Sequence, residues 1–269
     1  MRKTPLISTK ERRHILLPAL IIGLGAVVAF MPTTSCSTQG SDADSLTADS
    51  IVQNTFRIAV LPTTESAPLA AALQHGLFDS TDMEVRLDTF LSAMDADTAF
   101  IRGWVQMMVT DTFRMAYLNT IIQGATIHSV ITDTLHLSML TTKSSRIKST
   151  QSLKDKIVAV TRNSAIDRFA DRTMERAHLK PEGLNRPQIN DITLRASMLN
   201  LAQYDGAILP EPFATQCEEQ GARRIAVMQE PQMRVVVKST DERKHKADIQ
   251  KIVDAYWQER NTPPQPSKP

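Results

Sequence analysis

Cysteine is almost missing from this chain: its 269 residues include two, Cys36 and Cys217, too few for a disulfide scaffold. No Cys-x-x-Cys, no His-Glu-x-x-His and no run of clustered histidines occurs. No zinc site is therefore expected, and neither a metal nor a cofactor is assigned. A glycine-rich phosphate loop of either common spacing is also lacking, which disfavours nucleotide binding. Outside the leader, His75, His128, His136, His178 and His245 are scattered. None stands beside a Ser or Cys in a recognisable nucleophile elbow, so no catalytic residue is assigned and the chain is not read as an enzyme. Base is scarce too, once its position is taken into account. The formal net charge is +2, yet residues 1–35 hold Arg2, Lys3, Lys10, Arg12 and Arg13 against Glu11 alone, leaving the remainder at −2. A nucleic-acid footprint needs a concentrated basic face, and none is present.

What the sequence does contain is enough apolar residues, 42% against 22% charged, for a core spanning one or two domains. Its first 35 residues read as an address. A basic stretch ending at Arg13 precedes the uncharged run Ile15–Phe30, which is shorter than the ~20 residues of a membrane-spanning helix and fits a secretory signal. Thr33-Thr34-Ser35-Cys36 resembles a bacterial lipobox, in which the Cys is acylated and becomes the mature N-terminus. Thr33 departs from that pattern, which prefers an aliphatic residue. A lipid anchor at Cys36 on the periplasmic face of a bacterial membrane is the expectation. Residues 36–54, rich in Ser, Thr, Asp and Gly, form a flexible tether, and Cys217 is left as a buried core thiol.

From residue 55 strands alternate with capped helices, and the class is α/β. The strands expected are Phe56–Leu61, Glu84–Phe90, Val105–Val109, His128–Ile131, Leu137–Leu140, Ile157–Val160, Gln188–Ile192, Gly206–Leu209, Ile225–Met228 and Arg234–Val237. Helices follow Ser66, Ser92, Thr112, Ala165, Thr193 and Pro212, and Ser239 with Glu242 forms a capping box for a last helix reaching Trp257. The polar stretch 141–155 marks a crossing between lobes. The expected division is 55–142 for the first part of lobe I, 143–230 for lobe II, 231–260 for the return to lobe I and 261–269 for the tail. Strand–helix units of this size build mostly parallel sheets flanked by helices, and ligands bind at the carboxyl ends of such strands.

Those ends carry Thr63, Thr64, Glu65 and Ser66; Thr110, Asp111 and Thr112; Thr132 to Thr134; Arg162, Asn163 and Ser164; and Glu211 between two prolines. Hydroxyls, amides and charges there join helix N-termini that aim free N–H groups outward, a set of fixed donors suited to a small polar or anionic molecule. Singly, each such residue is also what a helix N-cap selects. Glu65, Asp111 and Glu211 can equally cap helices, bridge lobes or meet an ammonium group on a ligand.

Arg57–Phe78 (RIAVLPTTESAPLAAALQHGLF), VTD at 109–111, Ser152–Glu182 (SLKDKIVAVTRNSAIDRFADRTMERAHLKPE) and Tyr204–Thr215 (YDGAILPEPFAT) together resemble one family. This is the extracytoplasmic solute-binding proteins of ABC importers, in the nitrate/sulfonate/taurine and thiamine-pyrimidine-precursor branch, from about residue 56 to about 257. The resemblance implies a two-lobed periplasmic-binding-protein type II fold that closes on its ligand. It implies a cleft lined by Thr63, Thr64, Ser66, Thr110, Asp111 and Thr112 from one lobe and by Arg162, Asn163, Ser164 and Glu211 from the other. It also implies a monomer that delivers a small-molecule solute to the permease and ATPase subunits of an importer. The chain departs from the family in having Gly103-Trp104-Val105-Gln106 where an Asp ends the turn. Two other functions fit the same residues: an enzyme on this scaffold acting on a small pyrimidine or carboxylate, and a lipoprotein that binds only protein partners.

Overall fold

The computed structural model describes residues 55–262. The signal, Cys36, the tether and residues 263–269 lie outside the described residues. Within them a seven-stranded mixed sheet runs in the order β2-β1-β3-β7-β4-β6-β5. β1 (Thr55–Val60) pairs in parallel with β2 (Glu84–Thr89) and β3 (Met107–Asp111), and β5 (Val158–Ala159) pairs in parallel with β6 (Gly206–Pro210). Between these groups stand two long antiparallel strands, β4 (Ile127–Thr141) and β7 (Arg223–Lys238).

The long strands correct one expectation. Each was foreseen as two short strands, and in the structure each is a single strand running through the polar gap. Apolar periodicity lapses at Thr132–Thr134 and at Gln229–Gln232, but the backbone ladder does not require apolar side chains and continues on either side. The ladder shifts register between Asp133 and Leu135, opposite Pro231 and Gln232. A proline has no N–H to give a ladder and is tolerated at such an irregularity. The amino half of β4 and the carboxyl half of β7 continue the β2-β1-β3 group, while their other halves continue β6-β5.

Strand alternation gives each group two cores, one per face. Ile58, Leu69, Val235, Ile252 and Tyr256 pack on one side of the first group, and Ala59, Phe100, Met108, Leu118 and Val236 on the other. In the second group Met139, Val158, Phe169, Met174 and Ile208 oppose Leu140, Leu199, Ala207, Leu209 and Cys217. Cys217 is 1% exposed, as read from the sequence.

The helices are α1 (Ala67–Gln74), α2 (Ala93–Ile101), α3 (Thr112–Ile121), α4 (Ala165–Arg176), α5 (Ile192–Asn200), α6 (Phe213–Glu219), α7 (Ser239–Lys244) and α8 (Lys246–Asn261). Ser92 caps α2 by accepting from the N–H groups of Met94 and Asp95, and α8 packs against α1. His75 closes α1 as its C-cap and meets Glu259 of α8 at 2.8 Å. Two further expectations are corrected. Gln188–Ile192 is not a strand. Gln188 makes an isolated bridge to Val160, and Asp191 instead caps α5 by accepting from Leu194 N–H. Ser239 does not cap the last helix. It is the first residue of α7, its hydroxyl accepts from Thr126 N–H, and the chain breaks at His245 before α8 begins.

Candidate functional site

The carboxyl ends of β1 and β3 meet the amino ends of α4 and α5 around a cavity of about 70 Å³, well below the ~300–1,000 Å³ of drug-sized ligand pockets. The first sheet group contributes Thr63, Glu65, Asp97, Thr110, Asp111 and Arg114 to its wall. The second contributes Thr161, Ser164, Asn190 and Arg195, and Leu135 and Leu137 of β4 lie between.

Asp111 ends β3 and caps α3. Its Oδ1 accepts from the N–H groups of Phe113 (2.9 Å) and Arg114 (3.0 Å), and also from that of Ala165 (3.0 Å), the first residue of α4. One carboxylate oxygen thus ties together the amino ends of two helices from opposite sides of the cavity. Burial pushes this carboxyl above the usual range, against those N–H groups and the Arg114 guanidinium, which lower it.

Arg114, 5% exposed, pairs through Nη2 with Asp97 Oδ2 and donates from Nη1 to the Arg162 carbonyl at 3.2 Å. Asp97 is 4% exposed. Burial pushes its carboxyl up to about 6 although Arg114 favours the charged form.

Arg195 is 1% exposed. Its Nη1 donates to Thr161 Oγ1 (2.7 Å) and to the Ile189 carbonyl (2.6 Å), and the Tyr204 hydroxyl donates to the Arg195 carbonyl. Burial lowers the guanidinium to about 10, which leaves it cationic at neutral pH. Among the described residues no carboxylate forms an ion pair with it. Glu65 is 6% exposed. Its Oε1 accepts from His136 N–H at 3.0 Å and lies 3.5 Å from His136 Nδ1.

Buried polar atoms are normally paired. Among the described residues five buried side-chain atoms have no partner: Glu65 Oε2, Ser66 Oγ, Asp97 Oδ1, Arg114 Nε and Arg195 Nε. Four of these five belong to residues of the cavity wall, so the unmet hydrogen-bonding capacity is concentrated there.

Of the ten residues expected to line the cleft, Thr63, Thr110, Asp111 and Ser164 are in the wall. Ser164 caps α4, accepting from Ile166 N–H and donating to the Thr161 carbonyl. The other six stand beside it. Thr64 donates its N–H to the Glu211 carbonyl at 3.0 Å and opens on an outer groove with Asp133 and Arg260. Ser66 is buried behind it. Thr112 donates to the Gln232 carbonyl at 3.2 Å. Arg162 turns to the Arg186 carbonyl and to Asp167. Asn163 is exposed at φ 55°. The Glu211 carboxylate accepts from Thr215 and Arg224; burial raises it, but these bonds prevail and hold it below the usual range.

Asp97, Arg114 and Arg195 were not foreseen. The signal was present in helix spacing: Arg195 shares a stripe with Ile192 and Leu199, and Arg114 with Leu118. A charge on an apolar stripe is a buried charge, and buried charges need partners.

No protein-family profile and no curated protein matches the chain. Solved structures do match in fold. The alkanesulfonate-binding protein SsuA of Xanthomonas axonopodis pv. citri, bound to MOPS, superposes with a TM-score of 0.62 at 14% identity, covering 77% of this chain and 73% of that one. The periplasmic nitrate-binding protein NrtA of Synechocystis gives 0.66 at 11% identity, covering 77% of this chain and 61% of that one. A conserved Candida albicans gene product, described as exhibiting the generic periplasmic binding protein structural fold, gives 0.63 at 15% identity, covering 76% and 70%. The chain has the periplasmic binding protein fold.

Proposed function

We propose that this protein is the solute-binding component of an ABC-type importer, exported, anchored by lipid at Cys36, and holding a small polar or anionic molecule between two lobes. The observation that carries this reading is Arg195: a guanidinium buried to 1% exposure, in ion-pair contact with no carboxylate among the described residues, in the wall of a small cavity. Such a group is costly to bury alone, and a bound anionic group offsets that cost with charge-assisted hydrogen bonds. The fold shared with sulfonate- and nitrate-binding proteins supports the same role.

The lobes are the two sheet groups, and the shared strands β4 and β7 form the hinge, with the register shift at Thr134 as the flexing point. Moving a two-state equilibrium from 1:99 to 99:1 takes about 5.5 kcal/mol of differential affinity. A few charge-assisted bonds of ~1.5–3 kcal/mol each supply it. In this account Thr63, Thr110 and Ser164 contact the solute, while Thr64, Ser66, Thr112, Arg162, Asn163 and Glu211 shape the walls around it. Asp111 joins the walls when the lobes close.

Titration calorimetry with a panel of small oxyanions and amino acids tests the reading. At least one solute is expected to bind, and Arg195→Lys is expected to weaken it at least tenfold while circular dichroism stays unchanged. Unchanged affinity in that variant removes Arg195 from the site. Absence of binding by every solute rejects the function.

A further inference from the structure

Large apolar side chains left on a surface signal a partner when they gather in one place. One such gathering lies at the end of the first sheet group opposite the cavity. Trp104 is 59% exposed, and Ile101, Tyr117 and Ile121 are exposed with it. Ile101 ends α2 and Ile121 ends α3, and both line a groove of about 340 Å³ together with Lys238 and Thr240. Tyr117 stands one turn before Ile121 on the same face of α3. Lys238 donates from Nζ to the Ile101 carbonyl at 3.3 Å, and the Arg102 guanidinium lies over the Trp104 ring, 5.2 Å from its centre. Asp241 is an electrostatic neighbour of Lys238. Among the described residues, however, no carboxylate forms an ion pair with Lys238 or Arg102, and none lines the groove. The face is aliphatic, aromatic and cationic at once.

Its place in the fold ties it to the start of the described chain. Gln106 Oε1 accepts from the Arg57 N–H (2.9 Å), and the Gln106 N–H donates to the Arg57 carbonyl (2.9 Å). Gln106 Nε2 also donates to the Gly103 carbonyl at 3.3 Å. The turn that bears Arg102 and Trp104 is therefore pinned beside the first residues of β1. Lys238 ends β7 opposite Ile127, the first residue of β4, so the groove lies at the same end of the sheet. The chain arrives at that end, at Thr55. On the anchor reading, residues 37–54 are all that separates Thr55 from a lipidated Cys36, and a relaxed chain of that length spans roughly 25 Å. So short a link holds the body near the bilayer at an effective concentration on the order of mM. There a weak contact is enough.

We infer that this face rests on the membrane. Ile101, Trp104, Tyr117 and Ile121 enter the headgroup region of an anionic bilayer, and Arg102 and Lys238 meet its phosphates. The inference goes beyond the binding role and rests on the lipid anchor proposed with it. Trp and Tyr favour that interface because each ring joins an apolar body to a polar tip. Cations beside them are drawn to anionic lipid. Contact through this end leaves the cavity, at the opposite ends of β1 and β3, on the side away from the bilayer.

The test uses the full chain, purified from membranes and bound to vesicles of phosphatidylethanolamine and phosphatidylglycerol whose acyl chains are brominated. Bromine quenches tryptophan fluorescence on contact. Trp104 and Trp257 are the two tryptophans, so Trp104→Phe, at an exposed position, isolates the signal of Trp104. Brominated lipid is expected to quench the unaltered chain at least twofold more than Trp104→Phe. Ile101→Ser with Ile121→Ser is expected to halve that difference or more, as is replacing phosphatidylglycerol by phosphatidylcholine. Flotation and mass spectrometry of Cys36 report attachment and acylation separately. Equal quenching of the two chains on vesicles to which both are attached overturns the membrane contact and leaves the anchor standing. A dimer in sedimentation velocity that Ile101→Ser dissociates assigns the face to a second copy and overturns the contact too. Quenching that depends on Trp104 in a chain with no acyl group at Cys36 sustains the contact and overturns the anchor. Absence of both flotation and quenching overturns both.

Discussion

Asp97 shows how a buried carboxyl contributes to the pH dependence of this fold. It is 4% exposed, and burial raises it to about 6 although Arg114 adjoins it. In the unfolded chain it returns to about 3.9. Between these values the folded state holds a proton that the unfolded state has released, so stability falls as pH rises. The contribution is fully present below pH ~4 and lost by the time pH passes ~6; a displacement of this size amounts to on the order of 3 kcal/mol. Urea unfolding from pH 4 to 7.5 should show this decline, and Asp97→Asn should make it shallower. A slope that is the same in both proteins would show that Asp97 does not titrate in that window.

Side chains reaching backbone groups join elements across the cavity, and Asp111 is the clearest joint. Its Oδ1 caps α3 and also receives the first N–H of α4. Asp111→Ala should cost about 0.5–2 kcal/mol for the cap and should speed exchange of the Ala165 N–H. Asp111→Asn, which keeps the accepting oxygen, should recover most of both. Hydrogen exchange with urea midpoints reads the two effects, and an unchanged Ala165 exchange rate in Asp111→Ala would remove the joint.

Much at this scale was legible beforehand. Ser92, Asp111 and Ser164 announce their helices, because a short polar side chain before an apolar stripe is the local chemistry of an N-cap. The long strands were not legible as single elements, since the ladder is made by backbone and the side chains at Thr132–Thr134 and Gln229–Gln232 carry no apolar period. Ser239 misled because a capping-box spacing does not reveal that its hydroxyl is taken by Thr126 N–H. The site was half legible. Strand ends gave Thr63, Thr110, Asp111 and Ser164, whereas Asp97, Arg114 and Arg195 sit within helices, where they read as part of an apolar stripe. Arg162 drew attention by position, yet its guanidinium is engaged by Arg186 and Asp167.

For the molecule as a whole, two sheet groups share two strands, and the narrow space between them gathers most of the unmet polar capacity among the described residues. In the binding role proposed above, these walls supply fixed donors and acceptors, and the shared strands supply the hinge. Co-crystallisation with whichever solute binds best by calorimetry tests this directly. The account predicts electron density for that solute between β1 and α5, within hydrogen-bonding distance of Arg195 Nε. Density for the solute on an outer surface, with Arg195 Nε still unpartnered, would contradict it.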